Sequence, residues 1–295
     1  MRAFVDTEDL IGRLEDVGYI AERGLAVALL LMEQLKRPLL VEGDAGVGKT
    51  EIAKALAAAH GCELIRLQCY EGLDVNAAVY EWNYQRQLLS IKMRESEDSS
   101  LAEKERHVFS EDYLLQRPLL QAIRRAQPPV LLIDEIDRAD EQFEAYLLEV
   151  LSDYQVSIPE LGTIRAVSIP HVVLTSNGTR ELSDALRRRC LYHYLDYPSY
   201  EKELRIVLRR VPGIEEQLAS QIVTFVQKLR AEELQKRPGT AETLDWAAAL
   251  VRLRVSSLDA NPDFIVDTLA CLLKTREDLA AMPPTVTARL LAQSV

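Results

Sequence analysis

The chain has 295 residues, of which 48% are hydrophobic and 27% are charged, and its formal net charge is −11. This length suggests one large domain or two modest ones, and the composition is ordinary for a protein that buries a real core. The acidic balance argues against a nucleic-acid surface as the main function, because such surfaces are basic.

The cysteines, the apolar runs and the N-terminal residues each indicate in which cellular compartment the protein is expected. There is no C-x-x-C pair and no nearby histidine pair at ligand spacing, so reduced thiols are expected at Cys62, Cys69, Cys190 and Cys271. The longest apolar run, residues 25–32, is far shorter than the ~20 residues that span a bilayer. The N-terminus lacks the basic and then apolar layout of a signal peptide. We therefore expect a cytoplasmic protein.

The first motif follows a buried strand predicted over residues 38–42. Residues 43–50 fit the P-loop pattern G-x-x-x-x-G-K-[ST] without a mismatch. Glycines let backbone N–H groups turn around an anion, and a helix predicted over residues 51–60 adds its positive end. Lys49 would reach the β- and γ-phosphates, and the Thr50 hydroxyl would bind Mg²⁺. The expected nucleotide contacts are Gly43, Asp44, Ala45, Gly46, Val47, Gly48, Lys49, Thr50 and Glu51.

Two kinds of sequence meet near Pro198. Before it, short apolar strands alternate with helices, at residues 39–41, 64–67, 130–133, 172–175 and 191–195. After it, every segment has helical periodicity, at residues 200–211, 214–235, 241–255 and 262–273. The alternation is typical of a parallel sheet flanked by helices. The sequence thus predicts an α/β nucleotide-binding domain with a five-stranded parallel sheet over residues 1–197, and a smaller all-helical lid domain over residues 198–295.

Two segments are longer than the connections that alternating strands and helices require. Residues 70–110 form a long insertion, and its middle, residues 93–106, is rich in acidic residues and serine and is expected to be solvated. Residues 154–168 contain two apolar runs on either side of a turn at residues 159–162. This second pattern predicts a β-hairpin inserted just before a core strand.

The strand predicted at residues 130–133 ends in two acids, Asp134 and Glu135. In a parallel nucleotide-binding sheet the carboxyl end of a strand meets the phosphates. Asp134 would hold the water shell of Mg²⁺, and Glu135 would act as general base on a water directed at the γ-phosphorus. Such a pair is often only a helix cap, but downstream of a P-loop the catalytic interpretation is favoured.

Asn177 closes the next strand, and an arginine run follows it. The asparagine is either a turn residue or a hydrogen-bonding partner of the γ-phosphate and the attacking water. The run of Arg187, Arg188 and Arg189 is either a solvated helix end or the source of an arginine finger that completes a neighbouring subunit's phosphate site.

Together these residues resemble the AAA+ ATPases, from about residue 21 to the C-terminus. The resemblance implies ATP and Mg²⁺ as cofactors, with Thr50 and Asp134 as the magnesium ligands and Asn177 as sensor 1. It also implies an arginine finger, for which Arg189 is the best match and Arg188 the second. A family member of this kind forms a homo-oligomeric ring, here expected to be a hexamer, that hydrolyses ATP at its subunit interfaces.

Within the AAA+ proteins the sequence is similar to the MoxR group. Residues 134–139 read Asp-Glu-Ile-Asp-Arg-Ala, close to that group's D-E-I-N-R-A, and Gln68 stands where the group has a glutamine after the second strand. The two insertions correspond to those of this clade. Residues 237–246 resemble the CoxD-like branch, which is associated with maturation of carbon monoxide dehydrogenase and related molybdenum enzymes. The resemblance therefore implies a chaperone for a metalloenzyme client, working with a von Willebrand factor A domain protein.

One departure and three alternatives accompany this hypothesis. Many AAA+ lids carry a sensor-2 arginine where this chain has Ala241-Glu242-Thr243, which leaves the coupling between lid and γ-phosphate open. The alternatives are a nucleic-acid-associated AAA+ ATPase, a small-molecule P-loop kinase and a nucleotide-locked scaffold. The acidic balance opposes the first, and the hydrolytic acid pair opposes the second. No role is assigned to the scattered histidines, His60, His107, His171 and His193.

Overall fold

A computed structural model describes residues 6–94 and 100–294. Its contacts form two compact units that do not follow chain order. Unit 1 comprises the residues through Leu10, Arg23–Glu42 and Ala53–His193. Unit 2 comprises Ile11–Glu22, Gly43–Ile52 and the residues from Tyr194 onward. The domain boundary predicted at residue 197 stays a prediction.

The helices and strands have the following bounds. The α-helices are α1 (Thr7–Asp16), α2 (Arg23–Leu35), α3 (Lys49–His60), α4 (Val75–Ala78), α5 (Tyr84–Met93), α6 (Leu101–Val108), α7 (Pro118–Arg124), α8 (Glu141–Asp153), α9 (Asp184–Arg189), α10 (Tyr200–Arg210), α11 (Glu216–Leu229), α12 (Thr240–Arg252), α13 (Pro262–Thr268), α14 (Arg276–Ala281) and α15 (Pro284–Ala292). The strands are β1 (Leu39–Glu42), β2 (Leu64–Gln68), β3 (Tyr80–Trp82), β4 (Leu114–Gln116), β5 (Val130–Asp134), β6 (Gln155–Ile158), β7 (Gly162–Arg165), β8 (His171–Ser176) and β9 (Leu191–Tyr194). Short 3₁₀ helices occupy Glu111–Tyr113, Ile136–Arg138 and Leu269–Cys271.

Five strands form one sheet in the order β2-β5-β8-β1-β9, and the pairs β2/β5, β5/β8 and β8/β1 are parallel. Every residue of β5 is buried, which explains its uninterrupted apolar sequence: a strand covered on both faces needs no polar alternation. The five predicted core strands match these strands to within one residue at each end. The predicted α/β fold is therefore confirmed.

The hairpin predicted within residues 154–168 is also confirmed. Strands β6 and β7 pair antiparallel, and Ile158 lies opposite Gly162, whose φ of +78° suits a tight turn. The longer insertion contains α4, β3, α5 and α6, and β3 pairs antiparallel with β4. Residues 95–99, at the centre of the stretch expected to be solvated, lie outside the described residues.

Unit 2 has a helical core of its own, as predicted. Phe225 of α11 and Trp246 of α12 are fully buried there, with ring centroids 5.2 Å apart. The helix predicted over residues 214–235 was too long at its end, since α11 stops at Leu229. Just after this helix, the Arg230 side chain forms a buried ion pair with Glu203 at 2.6 Å. Within residues 6–94 and 100–294, no helix is long and apolar enough to cross a membrane.

Candidate functional site

The P-loop lies in unit 2, and along the chain it follows β1 and precedes α3. Gly46 and Gly48 have φ values of +81° and +100°, in the left-handed region that strains other residues. A Cβ atom added to Gly43 would collide with the carbonyl oxygen of Leu195. The conformation of the loop therefore depends on glycine at three positions, for two different physical reasons.

Lys49 is wrapped by the loop that precedes it. The residue is 7% exposed, and its Nζ donates to the carbonyl oxygens of Gly43 at 2.8 Å and Asp44 at 2.7 Å. The loop therefore holds a positive charge beside its turned backbone, an arrangement that suits a phosphate group.

The other predicted nucleotide contacts differ in exposure. Asp44 and Ala45 are exposed, whereas Val47 is buried. Thr50 and Glu51 lie in the first turn of α3, at the helix end that attracts anions. The Thr50 hydroxyl is therefore carried by the same helix end as the lysine.

The segment before α12 makes a close backbone contact with the P-loop. A Cβ atom on Gly239 would lie 2.6 Å from the carbonyl carbon of Gly46, so only glycine fits there. Glu242 accepts a hydrogen bond from the backbone N–H of Gly239 at 2.9 Å and so holds the helix start in shape. The stretch without a sensor-2 arginine, which includes Ala241, is thus packed against the phosphate loop through its backbone.

A cavity of about 400 Å³ opens beside the P-loop within unit 2. This volume lies in the usual range for small-molecule sites. The lining is mainly hydrophobic and includes Tyr19, Ile20, Gly46, Val47, Pro198 and Leu244. An aromatic base requires an apolar slot of this kind next to the loop that holds its phosphates.

Sequence reasoning missed the cavity residues that lie outside the P-loop and the start of α3. Tyr19 and Ile20 follow Gly18, whose φ of +84° turns the chain after α1, and such a turn carries no nucleotide motif. Thr240, also in the lining, has a buried Oγ1 that makes no hydrogen bond to any described residue. This hydroxyl is therefore an unsatisfied buried polar group next to the cavity.

In unit 1, Asp134 is fixed at the end of β5 by two neighbours. Its Oδ1 accepts a hydrogen bond from the Thr175 hydroxyl at 2.5 Å. Its Oδ2 accepts from Arg66, with the Nη2 atom at 2.6 Å and the Nε atom at 3.1 Å. The Asp134 side chain is 4% exposed, so these contacts compensate a buried carboxylate.

Glu135 has an unusual backbone conformation. Its φ of +56° and ψ of +49° lie in the left-handed region, which is rare for residues other than glycine. Its backbone N–H donates to the same Thr175 hydroxyl oxygen at 2.9 Å, and its Oε2 lies 3.0 Å from Nε of Arg138. Strained residues held by their surroundings cluster at functional sites. Thr175 therefore orients both predicted catalytic acids, a role that sequence reasoning missed.

Asn177 is held by Asp137, which stands where the MoxR pattern has asparagine. The Oδ2 atom of Asp137 accepts from the backbone N–H groups of Asn177 at 3.2 Å and Thr179 at 3.0 Å, and from the Thr179 hydroxyl at 2.6 Å. Burial alone would raise the pKa of Asp137, but these hydrogen bonds outweigh it and lower the pKa below the ordinary value. A carboxylate thus ties the residues after β5 to those after β8.

The three arginines of α9 differ in their contacts. Arg187 lies 3.5 Å from Glu42, and Arg189 donates from its Nε to the Ser152 hydroxyl at 2.5 Å. Arg188 is exposed, and its guanidinium makes no hydrogen bond or ion pair within the described part of the chain. Of the two candidates for a finger, Arg188 therefore has the more available side chain.

The sheet brings the ends of three functional strands together. β5, β8 and β1 are neighbours, and Glu42 at the end of β1 pairs with Ser176 at the end of β8. Asp134 ends β5, Asn177 follows β8, and the P-loop begins after Glu42. These segments therefore start from one edge of the sheet, as expected of a parallel nucleotide-binding sheet. The Asp134 carboxylate at this edge offers oxygen ligands, the type that Mg²⁺ prefers.

The chain is similar to two known proteins and to one solved structure. The chain is 26% identical to the gas vesicle ATPase GvpN of Haloferax mediterranei over 262 residues, which cover 82% of this chain and 70% of that protein. It is 30% identical to the ATP-dependent Clp protease ATP-binding subunit ClpL of Lactococcus lactis over 234 residues, 72% of this chain and 27% of that protein. The solved structure of a point mutant of RuvB from Thermotoga maritima matches with a TM-score of 0.46 and 20% identity, covering 90% of this chain and 72% of that one.

The family match is more extensive than any single motif. Residues 38–190 match the family described as AAA domain (dynein-related subfamily). The match begins just before β1, ends just after α9, and so includes the P-loop, both acids, Asn177 and the arginines. Because it covers more than half of the chain, the chain belongs to the dynein-related subfamily of AAA domains, and it is an ATPase that binds and hydrolyses ATP.

Proposed function

We propose that ATP binds with its phosphates in the P-loop and its base in the cavity of unit 2. Gly46 and Val47 belong to the loop and also line the cavity, so a single nucleotide can occupy both. Lys49→Ala should weaken ATP binding in a titration, because the phosphates lose their cationic partner. Unchanged affinity would contradict this placement.

The proposed hydrolysis uses the strand-end residues. Thr50 and Asp134 would hold Mg²⁺, which neutralises charge on the phosphates, and Glu135 would take a proton from the water that attacks the γ-phosphorus. Asn177 would orient that water. The observation that carries this proposal is the fixed position of Glu135, whose left-handed backbone and hydrogen bond to Thr175 hold it at the end of β5.

We further propose that the chain works as a homo-oligomeric ring, a hexamer, in which an arginine of α9 acts on the neighbouring subunit's ATP. Arg189 is the better match in sequence, whereas Arg188 has the more available side chain. A finger of this type is worth about 10³-fold or more in hydrolysis rate in related phosphoryl-transfer systems. The variants Arg188→Ala and Arg189→Ala should therefore bind ATP normally, and the one that removes the finger should lose hydrolysis.

A mixing experiment tests action across the interface. Each finger variant is combined with Glu135→Gln, so that some sites contain an intact base from one subunit and an intact arginine from the next. The correct arginine should give partial recovery of activity, although each parent alone has every site broken. If neither mixture recovers activity under conditions that allow subunit exchange, the shared site is excluded. A protein that stays monomeric with and without ATP in mass photometry would exclude the ring.

The proposed client is a protein. The similarity to ClpL and GvpN is compatible with work on proteins or protein assemblies, and α5 exposes a group of large apolar side chains, Leu88, Leu89, Ile91 and Met93. Exposed apolar groups of this kind mark interaction surfaces. The finer hypothesis is a cytoplasmic MoxR-like chaperone of the CoxD-like branch that matures a metalloenzyme together with a von Willebrand factor A domain protein.

Capture of the client tests this hypothesis. Glu135→Gln should hold ATP without turnover and should retain the client during purification from its own cells. Leu88→Ser combined with Leu89→Ser in the same background should lose the client and keep ATP binding. Recovery of no metalloenzyme and no von Willebrand factor A domain protein would remove the finer hypothesis.

Two alternatives give different results in an ATPase assay. A nucleic-acid-associated ATPase would be stimulated by DNA or RNA, although a net charge of −11 opposes that binding. A nucleotide-locked scaffold would bind ATP without turning it over. The proposed chaperone would be stimulated by its partner protein and not by nucleic acid.

A further inference from the structure

Three side chains that bind transition metals in other proteins meet in unit 1. Glu33 lies in the last turn of α2, His60 is the last residue of α3, and His171 is the first residue of β8. Their ligand atoms all lie within 4.8 Å of one another. Since Asp134, Thr175 and Asn177 lie at the other ends of β5 and β8, this cluster is separate from the hydrolytic residues.

The cluster is closely packed. The His60 side chain is fully buried, and its Nε2 lies 2.6 Å from Oε1 of Glu33, which is itself 10% exposed. The His60 and His171 rings are stacked, with centroids 4.8 Å apart and planes 7° from parallel. Within the described residues, the buried Nε2 atom of His171 has no hydrogen-bond partner. A buried imidazole nitrogen is costly to leave unsatisfied, so this geometry calls for an additional partner.

We propose that Glu33, His60 and His171 bind a divalent transition-metal ion of the Zn²⁺ type. Two imidazoles and one carboxylate are a ligand set that suits zinc and its neighbours, whereas Mg²⁺ prefers oxygen ligands alone. Three protein ligands leave a fourth position open for water or a small ligand. This site is therefore chemically distinct from the magnesium site proposed for ATP.

An ion at this position would draw the ligand atoms together and would turn the two stacked imidazole rings, whose nearly parallel planes keep their lone pairs from converging in this structure. Tetrahedral zinc bonds of about 2.0–2.2 Å place ligand atoms roughly 3.3 Å apart. Glu33 and His60 need to separate slightly from their 2.6 Å contact, and the most distant pair needs to close by about 1.5 Å from 4.8 Å.

An entry path is also present. A cavity of about 470 Å³ lies beside the cluster and is lined by Glu33 and His171, together with Met32, Lys36, Pro128 and Ile169. Because Glu33 and His171 line this opening, it gives an ion a route towards the cluster. The sequence does not indicate this cluster, because Glu33 and His60 are 27 positions apart and His60 and His171 are 111 positions apart.

Cobalt titration of the full-length chain tests the proposal. The protein is prepared without a histidine tag, stripped with a chelator and titrated with Co²⁺ in excess Mg²⁺. We expect one Co²⁺ per chain, with the visible absorption bands of a four- or five-coordinate ion and without the intense bands of thiolate ligation. Glu33→Gln and His171→Gln should each weaken binding by at least about 10–100-fold, the loss that even outer-shell changes cause. Zn²⁺ should compete with Co²⁺ and should raise the melting temperature of the parent chain.

Matched controls make each outcome decisive. His107→Gln alters a histidine that contacts Tyr113 and Ser90 elsewhere in unit 1, and it should leave cobalt binding unchanged. Cys62→Ser, close to His60 in the sequence, should also leave it unchanged. Glu33→Gln keeps the shape of the side chain, so a normal melting temperature without metal shows that the variant is folded. Absence of binding, thiolate bands, or binding that survives both Glu33→Gln and His171→Gln would overturn the proposal.

Discussion

The P-loop and the strand-end acids hold their functional groups in place by different means. In the P-loop, backbone geometry sets the conformation of the loop. Gly46 and Gly48 adopt left-handed conformations, and the backbone of Gly239 lies close to that of Gly46. At the strand ends, side-chain hydrogen bonds set the orientation of the acids. The Thr175 hydroxyl donates to the Asp134 carboxylate and accepts from the backbone N–H of Glu135. A binding loop that must surround phosphates needs free N–H groups, whereas an acid and a base need a fixed orientation.

This comparison has a testable consequence. Substitutions that add atoms beside the closely packed backbone of unit 2 should reduce the affinity for ATP and the free energy of unfolding. Changes of single polar atoms at the strand ends of unit 1 should reduce turnover and leave ATP affinity largely intact. The four predictions below examine that separation, from the largest expected effect to the smallest.

Glu135→Gln should have the largest effect on turnover. The amide cannot accept the proton of the attacking water, so kcat should fall by about 10²–10⁴-fold, the usual contribution of a general base. ATP affinity should be retained. Glu141→Gln, an exposed residue at the start of α8, serves as the control. Hydrolysis by Glu135→Gln at a near-parental rate in a phosphate-release assay would refute its assignment as the base.

Thr175→Val should show how much the orientation of Asp134 and Glu135 contributes to turnover, because it leaves both acids in the chain. The valine neither donates to Asp134 nor accepts the N–H of Glu135, so both acids lose their alignment. We expect kcat to fall by about 10–100-fold, as for small displacements of catalytic groups, with ATP affinity nearly unchanged. Thr163→Val on β7 is the control. If affinity for ATP falls as much as kcat, Thr175 does not act through the acids alone.

Gly239→Ala should affect unit 2. Its Cβ would lie 2.6 Å from the backbone of Gly46, so the segments must move apart. We expect a loss of about 1–3 kcal/mol in the free energy of unfolding, as for other overpacked sites, together with weaker ATP binding. Gly12→Ala in α1 is the matched control, because its Cβ meets nothing within 4 Å. That control should stabilise the chain by about 0.5–1 kcal/mol.

Asp137→Asn should have a pH-dependent effect on stability. The pKa of Asp137 is lower in the folded chain than the roughly 3.9 expected when unfolded, so its carboxylate stabilises the fold above that value. This contribution is lost as the pH falls through the folded pKa. In urea unfolding, the difference between parent and variant should be constant above about pH 5 and should shrink below about pH 4. A difference independent of pH across this range would show that the charge of Asp137 is not what matters.

The sequence alone determined the local parts of this protein. The P-loop, the acids after β5, Asn177 after β8 and the helical C-terminal half all follow from motifs and from apolar periodicity, because these patterns depend on neighbours a few positions away. The strand bounds agree with the structure for the same reason. The predicted end of α11 disagrees with the structure, because α11 stops at Leu229 whereas the helical periodicity continues to residue 235.

Which residues distant in sequence lie close together depends on the tertiary structure alone. The contact of Gly239 with Gly46 and the bridging role of Thr175 depend on strand order and helix packing. So does the convergence of Glu33, His60 and His171. A single sequence records the local preference of each segment, whereas the packing of the segments sets their mutual distances. Residues that belong to recognisable motifs could therefore be predicted, whereas a cluster whose three members belong to no motif could not.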